Sequence, residues 1–236
     1  MYLDRRVLGV ALISASIVGA APAFAATWNE GTNGDLSNNQ ASPSTLALTV
    51  GANFIDGSVG NGATSDTQDW IAVTVPAGAV MTSYTNTAYG GTDQQGFTGF
   101  QFGSSFVGNA GTATPYAGYA HFGPGATNPG INSGAPTSTT NIDLLSTAHY
   151  MSDNGPGGTA AGASGYTPPL GPGTYTFLIQ QLGSTINYDF RIDVVPEPST
   201  LCLAGVGGAG LLGAVYRRRR EVRGEELKGT ESFSVI

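Results

Sequence analysis

Two aspartates, Asp66 and Asp69, stand three positions apart in a segment rich in glycine, serine, threonine and asparagine. Carboxylates and loop carbonyls are the oxygen ligands that Ca²⁺ prefers. Asp56 lies nearby in the sequence, but the acidic loop pattern that ends in a bidentate glutamate is missing. Two interpretations therefore stay open: Asp66 and Asp69 hold a calcium ion, or they cap turns and keep the surface soluble.

The two histidines, His121 and His149, lack the spacing of a zinc motif such as HExxH. Serine is abundant, but no nucleophile elbow stands at a strand-to-helix turn, and Gly103-Ser104-Ser105 does not meet that pattern. No phosphate loop or dinucleotide fingerprint is present. The sequence therefore predicts no catalytic residues and no cofactor apart from calcium. A hydrolase with an unrecognised site is kept as an alternative to a protein that is not an enzyme.

Aromatic side chains offer a third kind of chemistry, because the face of a tyrosine or tryptophan ring can stack on a sugar ring. The chain has 10 tyrosines and 2 tryptophans. The candidates for sugar contacts are Trp28, Trp70, Tyr84, Tyr89, Tyr116 and Tyr119. Packing in the core or on a strand face is the competing interpretation. The sequence thus allows a secreted module that binds glycan or calcium.

The elements that must position these side chains are predicted to be short strands. Turn dipeptides recur between positions 26 and 194, and helical periodicity is absent there. Alternation is clearest over residues 187–194, where every second residue is apolar. Residues 174–181 are predicted to pair with that segment as a hairpin across Gly183-Ser184. Further strands are predicted at 46–50, 54–59, 69–75, 79–85, 97–102 and 116–122.

This pattern predicts an all-β fold, an antiparallel β-sandwich or jelly roll. Residues 26–194 are expected to form one exported domain. Between positions 123 and 169 the chain is rich in glycine and proline, with one apolar island at 142–150. Long surface loops are expected there.

Charge excludes one class of partner. Between positions 26 and 195 the sequence has ten carboxylates, one arginine and no lysine. The field of such a domain repels nucleic acid and attracts cations, so no nucleic-acid partner is expected. The only cysteine, Cys202, lies outside that range, so the exported domain has no disulfide and depends on packing or on metal.

The N-terminus has the features of a secretory signal peptide over residues 1–25. Arg5 and Arg6 precede an apolar run at 7–21, and the small residues Ala23 and Ala25 form a cleavage pattern. We expect the Sec machinery to export the chain and signal peptidase to cut after Ala25. A signal helix should therefore flank the sandwich on this side.

Near the C-terminus an uncharged apolar stretch at 201–216 is followed by a cluster of arginines. A transmembrane helix over about residues 199–216 is expected, with the cluster as a stop signal on the cytoplasmic side. Residues 221–236 would then form a cytoplasmic tail. The members of the stop signal are Arg217, Arg218, Arg219 and Arg220.

Pro196, Glu197 and Pro198 stand directly before that stretch. The order of a Pro-Glu-Pro motif, an apolar helix and an arginine cluster over residues 195–220 resembles the PEP-CTERM sorting signal. The resemblance implies that an exosortase-type enzyme recognises these three residues and processes the chain there. It also implies a precursor tethered to the membrane and a product at the cell surface or outside the cell. Prolines suit such a motif because they hold the backbone extended.

A second resemblance concerns residues 30–194. Gly34-Asp35-Leu36-Ser37, then Asp66 and Asp69-Trp70, and finally residues 170–175 occur in an order similar to the bacterial pre-peptidase C-terminal type of β-sandwich. This resemblance implies a binding or structural module. Combined with the termini, it favours a cell-surface or extracellular-matrix protein with a structural or adhesive role, associated with exopolysaccharide. The alternatives are the glycan- or calcium-binding module and the hydrolase.

Overall fold

The computed structural model describes residues 25–62, 65–126, 138–145, 162–197 and 216–217. Within these residues the chain forms nine strands and one single-turn helix. They are β1 (Thr27–Asn29), α1 (Glu30–Asn33), β2 (Ser44–Ala47), β3 (Gly51–Val59), β4 (Gln68–Val75), β5 (Ala79–Gly91), β6 (Gly96–Phe102), β7 (Gly118–Phe122), β8 (Gly173–Gln180) and β9 (Ile186–Pro196).

The strands form two sheets. The first has the order β1-β3-β9-β5 and the second the order β2-β4-β8-β6-β7. This architecture agrees with the predicted all-β sandwich, but the pairing is not antiparallel throughout. The edge strands β1 and β2 run parallel to β3 and β4. Each reaches its partner through a long stretch of chain that includes another element, which is what a parallel pair requires.

The predicted C-terminal hairpin is wrong. β8 pairs with β4 and β6 in the second sheet, whereas β9 pairs with β3 and β5 in the first. The turn at Gly183-Ser184 therefore carries the chain across the sandwich, so that the apolar faces of β8 and β9 oppose each other instead of lying side by side. Both strands nonetheless have the predicted positions within a few residues.

Aromatic stacking dominates the core between the sheets. The ring of Tyr84 stacks on Phe190 with centroids 4.4 Å apart and an interplanar angle of 4°. Phe122 meets Phe190 edge-on at 4.9 Å. The buried Tyr84 hydroxyl is satisfied by Thr98 Oγ1 at 3.0 Å. Buried hydroxyls that keep a partner avoid the cost of desolvation, so this core combines large apolar area with a fixed geometry.

A second apolar cluster lies outside the sandwich. Trp70 and Leu178 point away from the core, and the chain after β6 folds over them so that Phe106 and Tyr116 close the cluster. Trp70 and Phe106 have ring centroids 4.8 Å apart. This cover explains why β4 and β8 are buried on both faces. A strand with two buried faces shows continuous apolar sequence instead of alternation.

Part of the predicted surface loop enters the core. Leu144 and Leu145 are fully buried among the core residues. The Leu144 backbone N–H donates to the Tyr84 carbonyl at 2.8 Å. The expectation of surface loops between positions 123 and 169 is therefore wrong for this short segment, because its apolar island fills the side of the sandwich next to β5.

The predicted terminal helices lie almost entirely outside the described residues, which begin at Ala25 and include only Tyr216 and Arg217 beyond Glu197. In the part of the chain that the structure describes, no helix has the length and apolarity needed to cross a membrane.

Candidate functional site

A tight turn brings the N-terminal segment against the sandwich. α1 follows β1 directly and ends at Gly34, whose φ of 85° is a left-handed conformation that favours glycine. Leu36 then anchors in the core with 2% exposure. Ser37 pairs with Trp70, whose backbone N–H donates to the Ser37 carbonyl at 2.8 Å. The acidic residues of the turn are thereby held beside the start of β4.

Three carboxylates converge at this point. Glu30, Asp35 and Asp69 each offer an oxygen, and these oxygens all lie within 4.8 Å of one another. Glu30 Oε2 accepts a hydrogen bond from the Ser58 backbone N–H at 2.8 Å. Gly57 makes this approach possible, since a Cβ there would lie 2.5 Å from Glu30 Oε1. We call Glu30, Asp35 and Asp69, together with the adjoining Asp66, the carboxylate cluster.

Asp69 is the most buried member, with 0% exposure. Its Oδ2 accepts a hydrogen bond from the Tyr188 hydroxyl at 2.8 Å. Its Oδ1 is buried and has no hydrogen-bond partner among the described residues. Such an orphaned carboxylate oxygen is costly unless a proton or a cation satisfies it.

Burial raises the pKa of Asp69 to about 9. The hydrogen bond from Tyr188 opposes this rise, and the neighbouring carboxylates of the cluster add to it. Without a cation, the Asp69 carboxyl is therefore protonated at neutral pH. Burial also raises the pKa of Glu30, where the Ser58 hydrogen bond opposes the rise and the charge of Asp35 adds to it.

Asp66 lies beside Asp35. Burial and the Asp35 charge raise the pKa of Asp66, while a hydrogen bond from Asn38 opposes the rise. Its Oδ1 is also buried without a partner among the described residues. The structure thus brings the two sequence-predicted aspartates into one acidic neighbourhood.

Sequence reasoning missed Glu30 and Asp35 as members, because about thirty or more residues separate each of them from Asp69. Gly34 directly before Asp35 is the sequence feature that could have indicated this site. A glycine in the left-handed region can reverse the chain and bring the following carboxylate back against the sandwich. Asp56, which was close in sequence to the predicted pair, points to the opposite face of β3 and accepts a hydrogen bond from Asn29.

Arg191 is the only lysine or arginine within residues 26–195, and it does not contact the carboxylate cluster because it pairs with Asp193. It lies on the opposite face of β9 from Tyr188, and its Nη2 is 2.9 Å from Asp193 Oδ1. A dense group of carboxylates without a cationic partner fits a hard divalent cation such as Ca²⁺, which takes about 6 to 8 oxygen ligands. Glu30, Asp35 and Asp69 would hold the ion, with Asp66 alongside.

The aromatic candidates fall into three groups. Trp70, Tyr84 and Tyr116 are buried and serve packing. Trp28 and Tyr89 pack against the core and are only partly exposed. Tyr119 faces outward from β7, as does His121, and both line surface cavities. His149 lies outside the described residues.

The Pro-Glu-Pro motif begins inside the folded domain. Pro196 is the last residue of β9 and pairs with Ala79 of β5. The Glu197 backbone N–H donates to the Gly78 carbonyl at 2.9 Å. The expected boundary after position 194 therefore does not coincide with the end of the last strand, which continues by two residues.

The remaining predicted signal residues are mostly not described. Ala25 is exposed, and Arg217 is an exposed helical residue. The others, Ala23, Pro198, Arg218, Arg219 and Arg220, lie outside the described residues.

Comparison with known proteins bears on the C-terminal segment. No curated protein and no solved structure matches the chain, and the resemblance to the pre-peptidase C-terminal type of domain stays a prediction. Residues 194–220 match the family model of the PEP-CTERM protein-sorting motif. The match includes Pro196, Glu197 and the arginine cluster. The chain therefore carries a PEP-CTERM sorting motif, which marks it as an exported protein that an exosortase sorts.

Proposed function

We propose that the exported domain is a non-catalytic, calcium-binding module with a structural or adhesive role at the cell surface or in the extracellular matrix. One observation carries the proposal: among the described residues, the buried Oδ1 of Asp69 has no hydrogen-bond partner, and the carboxylate cluster around it has no cationic partner. A calcium ion would satisfy that oxygen and neutralise the cluster.

The position of the cluster supports a structural use of calcium. Glu30 and Asp35 belong to the N-terminal turn, Asp69 is the second residue of β4, and Tyr188, which donates to Asp69, belongs to β9. An ion held there would join three segments that are distant in sequence. Such a link would replace the disulfides that this domain lacks, because a ligand that binds only the folded state stabilises it. Extracellular modules commonly use calcium at about 0.1 to 1 mM.

Burial argues against a catalytic role for the same carboxylates. A general acid or base must come within hydrogen-bond reach of the substrate. Asp69 has 0% exposure and its Oδ2 already accepts the Tyr188 hydroxyl. A ligand role requires only that the ion enter, whereas catalysis would require access by a substrate.

Calcium is expected to raise the melting temperature of the full-length protein in detergent. At 1 mM calcium, a dissociation constant of about 0.1 to 1 mM gives a stabilisation of about 0.4 to 1.4 kcal/mol. The measurement is thermal unfolding in 1 mM calcium, in 1 mM magnesium and in EDTA. Magnesium is the control, because its stricter geometry and reluctance to lose water suit this cluster less. Identical melting in all three solutions would rule out the ion.

Sorting predicts that the C-terminal segment is removed only where an exosortase is present. In cells that contain the enzyme, mass spectrometry of the mature protein is expected to find no peptide from positions 217–236. In cells without it those peptides should remain. Glu197→Gln is the matched variant, since it keeps the side-chain shape and removes the charge, and we expect it to reduce processing. Retention of the arginine cluster in both strains would contradict processing.

A further inference from the structure

Within the described residues, the outer face of the second sheet is only partly covered. The chain from Gly103 to Ala117 folds over Trp70 and Leu178 and closes the outer apolar cluster. Beyond the edge of this cover, Phe97 of β6 and Tyr119 of β7 remain half-exposed. Leu182, just after β8, is 67% exposed. An uncovered border of aromatic and apolar side chains is a feature of binding surfaces.

Two adjoining cavities follow this border. One has a volume of about 380 Å³ and lies between Tyr119 and the covering segment at Ala110–Ala113. The other has a volume of about 270 Å³ and lies beside His121 and Asp93. Both are lined by Phe97, Gln180 and Leu182. We call the two together the aromatic groove. Their sizes are close to the lower end of ligand pockets, about 300 Å³.

Phe97 stands at the centre of the groove and is braced by other rings. Its centroid lies 5.8 Å from that of Tyr119 with an interplanar angle of 31°. His121 meets Phe97 edge-on at 5.7 Å, and Tyr116 does so at 5.8 Å. Rings held by such contacts lose little freedom when a ligand stacks on them, which favours binding.

The polar wall is fixed in place. Gln181 Nε2 donates to the Gln95 carbonyl at 2.6 Å, and Gln181 Oε1 accepts the Gly183 N–H at 2.7 Å. Asp93 Oδ1 accepts the Gln94 N–H at 2.8 Å. Gln180 adds a side-chain amide that borders both cavities. Amides and a carboxylate offer both donors and acceptors to hydroxyl groups.

Charge selects among ligands. Among the described residues, no arginine or lysine lines either cavity, and residues 26–195 have ten carboxylates against one arginine. An anionic ligand would therefore be repelled. A neutral sugar presents hydroxyls to the amides and slightly positive C–H groups to the negative face of an aromatic ring.

We propose that the aromatic groove binds a neutral glycan, with one pyranose ring in each cavity and Phe97 between them. A glycan would be the partner of the adhesive role, and only this biological interpretation rests on the proposed function. The groove lies on the second sheet's outer face and shares no residue with the carboxylate cluster. Glycan binding can therefore be tested with or without calcium.

The test is affinity electrophoresis of the full-length protein, in a detergent without a sugar headgroup, through gels that contain dextran, galactomannan or hydroxyethylcellulose. We expect at least one neutral polysaccharide to retard the wild type. Tyr119→Ala and Gln180→Ala should each weaken retardation about fivefold, since one lost stacking or hydrogen-bonding contact is worth about 1 kcal/mol. Retardation should persist in EDTA at a temperature below unfolding.

Phe54→Ala is the matched control. Phe54 is 37% exposed on the outer face of the other sheet, so its loss should leave retardation unchanged. Gln180→Ala also guards against misfolding in Tyr119→Ala, because it removes an amide and no ring packing. The proposal is overturned if no neutral gel retards the wild type, if only an alginate gel does, or if all three variants migrate as the wild type does.

Discussion

Replacing Asp69 with asparagine is expected to stabilise the protein in EDTA and to abolish its stabilisation by calcium. Without an ion, folding of the wild type must protonate the Asp69 carboxyl, whose pKa burial raises to about 9. Asparagine has nearly the shape of the protonated acid and needs no proton, so the gain at neutral pH is roughly 4 kcal/mol. In calcium the variant lacks this ligand, so the ion no longer stabilises it, whereas the wild type gains stability.

Urea unfolding followed by tryptophan fluorescence measures both effects, since Trp70 is fully buried. The control is Asp56→Asn, which removes a carboxylate on the opposite face of β3. Its response to calcium should equal that of the wild type. If Asp69→Asn responded to calcium as the wild type does, Asp69 would have no role as a ligand. If it were less stable than the wild type in EDTA, the Asp69 carboxyl would not be protonated in the folded protein.

The advantage of Asp69→Asn in EDTA should depend on pH. The pKa of Asp69 rises from an ordinary 3.8 to about 9 on folding. Between these values the unfolded chain binds fewer protons than the folded one, so the stability of the wild type falls as pH rises. The variant lacks this contribution. The difference between the two free energies of unfolding should therefore vanish near pH 4 and grow toward pH 9.

Phe190→Ala is expected to cost about 3 to 5 kcal/mol of stability, the usual range for removing a buried aromatic side chain. Phe190 has 0% exposure, stacks on Tyr84 at 4.4 Å and meets Phe122 at 4.9 Å. The neighbouring side chains cannot fill the space left by the Phe190 ring without losing these stacking contacts. Urea unfolding of the full-length protein in detergent gives the change.

The matched control is Phe54→Ala on the neighbouring strand β3. Phe54 sits on the outer face and is 37% exposed, so its removal leaves no cavity and should cost less than about 1 kcal/mol. Equal losses for the two variants would contradict the assignment of β9's alternating face to the core.

The strands could be predicted from the sequence because most of them bury one face. Residues 187–194 alternate strictly, and they form most of β9. Pairing could not be predicted in the same way. The short turn after β8 suggested a hairpin, but the chain crosses between sheets there. Whether two successive strands form a hairpin or join different sheets depends on where their apolar faces bury the larger surface. The periodicity of one strand carries no information about this.

Only two of the four members of the carboxylate cluster could be predicted from the sequence. Asp66 and Asp69 are close in sequence and stood out as oxygen ligands. Glu30 and Asp35 reach them only through the turn at Gly34 and the anchoring of Leu36 in the core. The aromatic groove was harder to predict from the sequence than the carboxylate cluster. Tyr116 and Tyr119 are three residues apart, yet Tyr116 is buried under the cover and Tyr119 lines the open side.

The direction of β9 separates the two candidate sites from the sorting motif. This strand ends at Pro196, where the sorting motif begins, and it starts at Ile186 beside Val59 and Gly91. Tyr188, which contacts the carboxylate cluster, is eight residues from that end, or roughly 25 Å in extended chain. Leu182 and Asp93 of the groove also lie near the start of the strand. The carboxylate cluster and the aromatic groove therefore lie toward the start of β9, at the opposite end of the strand from the sorting motif.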